Sequence, residues 1–246
     1  MKVQRTSHAG KGIFVADGEK VTLRLLDSAL EVVSFFALEE YYEKYSDFIE
    51  SKAIPENVRF TADKEIFEQI VGFRVHTGIM AIGRIPRQSP VNEFSKKIIA
   101  LNGIIDSENV GAIVRNAAAF GFDSLIFDKA TSSPYLRRAV RVSMGTIYSL
   151  KYHICDNLKE ALELLRNGGS YSIYAAETSA GAISITECIL NDKFCLVFGS
   201  EGRGIDRDIL DMADKIVSIP ISDSVPSINV AASSAIMMFY IKNNNL

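Results

Sequence analysis

Cysteine and histidine are scarce in this chain, with three of each among 246 residues. Cys155, Cys188 and Cys195 are odd in number and lack the paired spacing of a metal site or a disulfide framework. They read as reduced thiols packed as small apolar side chains. His8, His76 and His153 are scattered, so no metal cluster is expected. Nor is there an excess of charge of one sign: 27 Lys and Arg stand against 30 Asp and Glu, a formal net charge of −3. Binding nucleic acid by bulk charge needs clustered Lys and Arg against phosphates, and this composition argues against that mode while leaving room for a local basic patch. The opening residues, MKVQRTSHAGKG, contain no apolar signal core, and no apolar run is long enough to span a bilayer. A soluble, cytoplasmic protein with no membrane and no metal is expected.

What the chain does have is apolar content, 48% of its residues, enough for one large or two smaller domains. Patterns of period 2 and period 3.6 alternate along it. GIFVAD, EVVSFFA, NVRFTA and GIMAIGRI read as strands, with helices over Glu19–Leu26, Leu38–Lys52 and Asp63–Val71. RIPRQSPVNEFS, with two prolines and no period, reads as a linker. After it come strand IIALNGII, a helix over Val110–Phe120, strand SLIFD and helices over Pro134–Ser143 and Leu158–Leu165. Strands YSIYAAE and CLVFG, a short helix over Asp206–Met212, strand KIVSIPI and a helix over Ser227–Lys242 complete the pattern. Strands alternating with helices predict an α/β fold with a mostly parallel, helix-covered sheet. Two α/β domains are expected, a small one over residues 1–86 and a larger one over 95–246, joined by a linker at 87–94. The terminal KNNNL is expected to fray.

Three stretches carry chemistry. In DSENVGAIVRNAAAFG, Asn109 is a candidate helix N-cap. Arg115 lies four residues after Gly111 and, leaning back over that bare turn, can reach the loop at Asp106–Asn109. Helix N–H groups and a guanidinium fork converging there suit a phosphate; equally, Arg115 can be a surface residue paired with Asp106 or Glu108. In LVFGSEGRGI the glycines at 199, 202 and 204 run GxxGxG, the reverse of a dinucleotide fingerprint, and no Gly-Lys-Ser/Thr of a phosphate loop follows. That leaves either a ligand-binding turn at the carboxyl end of a strand or a tight structural turn with Glu201 solvated. In IPISDSVPSINVAASSAI a strand ends at Pro220, Ser227 can cap the last helix, and Ala231, Ala232, Ser233, Ser234 and Ala235 permit close backbone approach. The helix then continues as AIMMFYI, apolar almost all round, which implies burial on more than one side and suggests a second copy as partner.

Together these stretches resemble the three signature motifs of the SpoU-type RNA ribose 2′-O-methyltransferases, within the SPOUT α/β-knot superfamily. The first motif matches at Asn109, Gly111, Arg115 and Ala117, the second at Gly199, Glu201, Gly202 and Gly204, and the third at Ile219, Pro220, Ser227, Asn229 and Val230. RRAVRVSMGTIYSL is similar to the family's segment between the first two, and the match covers about residues 95–242. The N-terminal part is similar, more loosely, to the small RNA-binding domain that many members carry. Ser107 stands where the family often has proline, and Ile228 where it usually has leucine.

The resemblance implies a Rossmann-like parallel sheet with a deep C-terminal trefoil knot and S-adenosylmethionine as cofactor. It implies a cofactor pocket walled by Gly199, Gly202 and Gly204, by Ile219 and Pro220, and by Ile228. A side chain at 199 would then fill space that the adenosine needs. The implied reaction is transfer of a methyl group to a ribose 2′-hydroxyl in tRNA or rRNA. Arg115 would bind the substrate phosphate and stabilise the developing alkoxide, Asn109, Ser227 and Asn229 would orient the nucleotide, and Glu201 would order the catalytic loops. A homodimer built on the larger domain is expected. Arg137, Arg138 and Arg141 are the densest cations near the motifs and the expected RNA grip, beside the N-terminal domain. Two other readings are open: an RNA-binding protein of the same fold without transfer activity, and a nucleotide-dependent oxidoreductase, against which the glycine order and the lack of an acid at the expected offset count.

Overall fold

The structure is a computed structural model that describes residues 11–52, 54–71, 78–179 and 181–244. His8, His76 and the last two residues of the KNNNL tail lie outside the described residues. The chain divides into two compact units, one of residues 1–86 with 135–148, the other of residues 87–134 with 149–246.

The first unit contains β1 (Ile13–Asp17), α1 (Glu19–Leu26), β2 (Val32–Leu38), α2 (Glu39–Lys44), α3 (Ser46–Ser51), β3 (Arg59–Ala62), α4 (Lys64–Val71) and β4 (Ile79–Arg84). Its sheet has the order β1-β4-β2-β3, antiparallel except for the parallel pair β2 and β3. Phe14, Ala16, Phe35, Ala37, Ile79 and Ala81 alternate inward along three strands and form its core. The single helix expected over Leu38–Lys52 is two. Leu38 ends β2, and Tyr45 leaves helical geometry (φ −114°, ψ 16°) where its hydroxyl donates to the Glu19 carboxylate of α1.

The second unit is built from β5 (Lys97–Asn102), α5 (Ser107–Phe120), β6 (Ser124–Asp128), β7 (Lys151–Cys155), α7 (Leu158–Gly169), β8 (Ser172–Ala176), β9 (Ile183–Ser184), β10 (Phe194–Gly199), α8 (Arg207–Met212), β11 (Lys215–Ser218) and α9 (Val230–Asn244). The helix between β6 and β7, α6 (Arg137–Val142), belongs with the first unit. It packs on β1, and Phe14 holds Tyr135 and Tyr148 with ring centroids 5.2 and 5.3 Å away. A segment expected within 95–246 therefore shares the core of residues 1–86.

All seven strands of the second sheet run parallel, in the order β7-β6-β5-β10-β8-β11-β9. The central strands are buried on both faces, and this is why they read as unbroken apolar runs. β7 has no clear sequence signature because KYHIC, on the edge and partly exposed, neither alternates cleanly nor runs apolar. Part of the expected linker covers that edge: Ser89 N–H donates to Tyr152 O at 2.9 Å, and Ile154 N–H to Gln88 Oε1 at 2.7 Å. Phe94 follows into the core, 7% exposed.

Two helix starts differ from expectation. α5 begins at Ser107 and is capped by Asp106, whose carboxylate accepts from Glu108 N at 2.8 Å, so Asn109 is inside the first turn and free for other contacts. α9 begins at Val230, and Asn229 Oδ1 accepts from Ala231 N at 2.9 Å and Ala232 N at 3.3 Å. Ser227 is two residues too early to reach those N–H groups. The small residues of α9 let it dock on α5, where Asn116 Nδ2 donates to Ala231 O and Ser234 Oγ, both at 2.9 Å. Cys155 and Cys195 are buried, Cys188 is half-buried, and burial pushes the Cys155 thiol up to about 11, as expected of packed thiols rather than reactive ones. Among the described residues no helix is long and apolar enough to cross a membrane.

Candidate active site

β10 delivers a closed turn. Beyond Gly199, Ser200 N–H donates to Gly204 O at 3.2 Å and Gly204 N–H to Ser200 O at 2.8 Å. Gly204 has φ +69°, where a side chain is strained. A Cβ on Gly199 would lie 2.3 Å from Gly204 C, and one on Gly204 would lie 2.4 Å from Glu177 Oε2. The glycines at 199 and 204 are thus required by the turn itself. A Cβ on Gly202 would meet nothing within 4 Å.

A cleft opens beside this turn, at the carboxyl ends of β8, β10 and β11, where open α/β sheets bind ligands. Gly199, Gly204, Ile219 and Ile228, which the resemblance implies as cofactor-pocket residues, line it, and so do Glu201 and Ser227. Gly202 and Pro220 do not. Phe198, Ile219, Ile228 and Met237 give it apolar walls, and Thr178, Ser200 and Ser233 add hydroxyls.

At its mouth three loops are braced together. Asn229, whose Oδ1 is taken by the N–H groups of α9, must present its Nδ2, which donates to Asn109 Oδ1 at 3.0 Å. Asn109 is thereby oriented to donate its own Nδ2 to the Glu201 carboxylate. The helix terminus fixes one amide, which fixes the next, which holds the carboxylate. Arg115 stands exposed on α5, outside the cleft lining, and among the described residues no hydrogen bond or ion pair holds its guanidinium. Arg137 and Arg141 are on α6 of the first unit, where Asp17, its side chain 10% exposed, sits 2.9 Å from Arg137 Nη2 and 3.7 Å from Arg141 Nη1. Arg138 is exposed on the same helix.

Residues 96–239, more than half of the chain, match the SpoU rRNA Methylase family. The chain belongs to that family. Among its relatives, an uncharacterized tRNA/rRNA methyltransferase of Mycobacterium tuberculosis is 29% identical over 94% of this chain and 81% of its own length. The 23S rRNA (guanosine-2'-O-)-methyltransferase RlmB of Haemophilus ducreyi is 30% identical over 70% of this chain and 73% of its own. An AdoMet-bound rRNA methyltransferase from Sinorhizobium meliloti shares the fold, with a TM-score of 0.83 at 20% identity, covering 99% of this chain and 92% of that one.

Within this SpoU-family site, two features have no counterpart in the sequence motifs. Glu177, just past β8, lines the cleft and accepts Ile205 N–H at 3.1 Å on Oε2. Asn102, 3% exposed at the end of β5, pins the loop after the glycine turn: Oδ1 accepts Asp206 N–H at 2.8 Å, and Nδ2 donates to Asp128 at 2.8 Å and Asp206 at 2.9 Å. Both sit at carboxyl ends of buried strands. That position was the available signal; no local motif marks them.

Proposed function

We propose that this protein methylates a ribose 2′-hydroxyl of ribosomal or transfer RNA, in the cytoplasm, with S-adenosylmethionine held in the cleft at Gly199–Gly204. The observation that carries this reading is the brace of Asn109, Glu201 and Asn229, which gathers all three motifs at one cleft mouth. The residues present fit the cofactor. Phe198, Ile219, Ile228 and Met237 offer apolar surface to a purine, and bare backbone at Gly199 and Gly204 leaves room for close approach. When bound, the cofactor supplies a methyl group activated on a sulfonium.

The chain's own work is positioning, which can supply most of the acceleration of such a two-reactant step. Asn109 and Asn229, their amides committed to the brace, hold the loops in register. Ser227, exposed on the cleft lining, is available to orient the nucleotide. Arg115 binds the substrate phosphate and stabilises the developing alkoxide. A guanidinium in a protein does not give up its proton, so its role is electrostatic and not that of a base. Along the fold, the chain leaves β11 beside β8 and β9 and returns to dock α9 on α5, which supports the trefoil knot implied by the resemblance. Mapping 2′-O-methyl sites in RNA from cells without the gene, before and after treatment with the purified protein, tests the reading. New methyl groups on bases, or none, would sink it.

The first unit is the RNA grip in this reading, through Arg138 and Arg141 with Arg137 anchored on Asp17. Arg137→Ala would strand a nearly buried carboxylate, so the cleaner variant is Arg138→Ala with Arg141→Ala. It is expected to weaken RNA binding and flatten its salt dependence by about one unit of slope for each phosphate that the variant no longer neutralises. Titrations at several salt concentrations check this; an unchanged slope would remove the patch from the interface.

A homodimer on the second unit completes the proposal. Ile236 (44% exposed) and Phe239 (57% exposed) continue a stripe from Ala232 at helical spacing along α9. Phe239→Glu is expected to convert a dimer to a monomer in light scattering at micromolar concentration, and a monomeric, fully active parent protein would contradict it.

A further inference from the structure

The cleft has an electrostatic bias. Among its described lining residues the only charged side chains are Glu177 and Glu201, and no Lys, Arg or His lines it. Glu201 is engaged by Asn109 at the mouth. Glu177 is held differently. Its own N–H donates to Val217 O at 3.2 Å, which fixes it where β8 meets β11. Each carboxylate oxygen accepts one backbone N–H, Oε1 from Thr178 at 3.0 Å and Oε2 from Ile205 at 3.1 Å. A carboxylate has room for about four such bonds, so acceptor capacity remains on both oxygens. No ion pair neutralises it among the described residues. Gly204 lacks a side chain at the point where a Cβ would collide with Oε2. The turn and the carboxylate are therefore built around one another.

We infer that Glu177 is a specificity-determining residue for the charge of the cofactor, favouring the sulfonium of S-adenosylmethionine over the neutral thioether of S-adenosylhomocysteine. This rests on the cleft being the cofactor site, as proposed above. The two ligands differ by one methyl group and one positive charge. A cleft with two carboxylates and no basic group in its lining stabilises the charged ligand, and partial burial strengthens the effect by excluding solvent. The charge lost in the reaction thus weakens retention of the product. Discrimination here comes from attraction of one ligand and not from steric rejection of the other, because the thioether fits wherever the sulfonium does.

Calorimetry on the full-length protein tests this without any turnover. The wild type is expected to bind S-adenosylmethionine, and sinefungin with its amine in place of the sulfonium, about tenfold more tightly than S-adenosylhomocysteine, about 1.4 kcal/mol. Glu177→Gln is expected to bring the three affinities within about twofold of one another, chiefly by weakening the two cations. The wild-type ratios need no variant, so the inference can be overturned even if Glu177→Gln disturbs the turn. Equal wild-type affinities for the charged and neutral ligands would overturn the inference while leaving the cofactor site standing. So would a Glu177→Gln protein that binds all three more weakly by the same factor. Absence of binding by all three to the wild type would overturn the cofactor site itself, and the inference with it.

Discussion

Replacing Arg115 by alanine is expected to slow methyl transfer by about a hundred- to a thousandfold, the usual cost of removing one group that stabilises a transition state, and to leave cofactor affinity unchanged. The separation follows from placement. Arg115 is exposed on α5 and absent from the lining of the cleft, whereas its helix neighbour Asn109 reaches Glu201 on the cleft wall. Arg115 thus stands outside the cleft while its helix contributes to the cleft mouth. On the proposed role, Arg115→Lys should recover little, since a point charge would not reproduce a planar fork binding phosphate and ribose together. Single-turnover rates at saturating cofactor, with calorimetry on the same proteins, separate the two effects. A lysine variant within a few-fold of wild type would reduce Arg115 to a generic positive charge. Loss of cofactor binding in the alanine variant would place it in the wrong pocket.

Gly199→Val is expected to abolish cofactor binding and to destabilise the second unit by about 1–3 kcal/mol, the range for overpacking a well-filled site. The sequence suggested that a side chain at 199 would take up the adenosine's space. The structure gives a nearer cause: the added Cβ would lie 2.3 Å from Gly204 C, 2.4 Å from Gly204 O and 2.5 Å from Ile205 N. These are backbone atoms, closed over Gly199 by the paired bonds between Ser200 and Gly204, and they have no rotamer to escape into. Relief requires opening the turn, which would also pull Ile205 N–H from Glu177 and Glu201 from Asn109. A lowered melting temperature together with lost calorimetric binding is the expected pair of results. Unchanged affinity would show that the turn is not a wall of the site. Gly202→Ala makes a useful control, because a Cβ there meets no atom within 4 Å.

How much could be read in advance depended on the range of the interaction. The central strands were legible because a strand buried on both faces must be apolar throughout, as in SLIFD and CLVFG. The glycine turn was legible because a tight turn needs glycine, and three motifs in order were enough to suggest the family. The cap positions were not, because Asp106 and Asn109, or Ser227 and Asn229, are equally good cap residues, and only the backbone path selects one of each pair. The edge strand β7 was not legible either, because an edge has no fixed apolar pattern.

By itself the sequence determined the alternation of strands and helices, the buried character of the central sheet, the need for glycine at the turn after β10 and the apolar last helix, since each depends on residues close together in the chain. The tertiary structure alone decided which distant residues meet. Asn109 joins Glu201 across 92 positions and Asn229 across 120. Glu177 closes on Ile205, and residues 135–148 pack with residues 1–86. The pairings of Asn109 with Glu201 and Asn229 and of Glu177 with Ile205 follow from the strand order β5-β10-β8-β11, which brings strand ends from four parts of the sequence to one edge of the sheet. Periodicity shows which face of an element is buried. It does not show which element lies beside it, because that choice depends on packing among all of them at once.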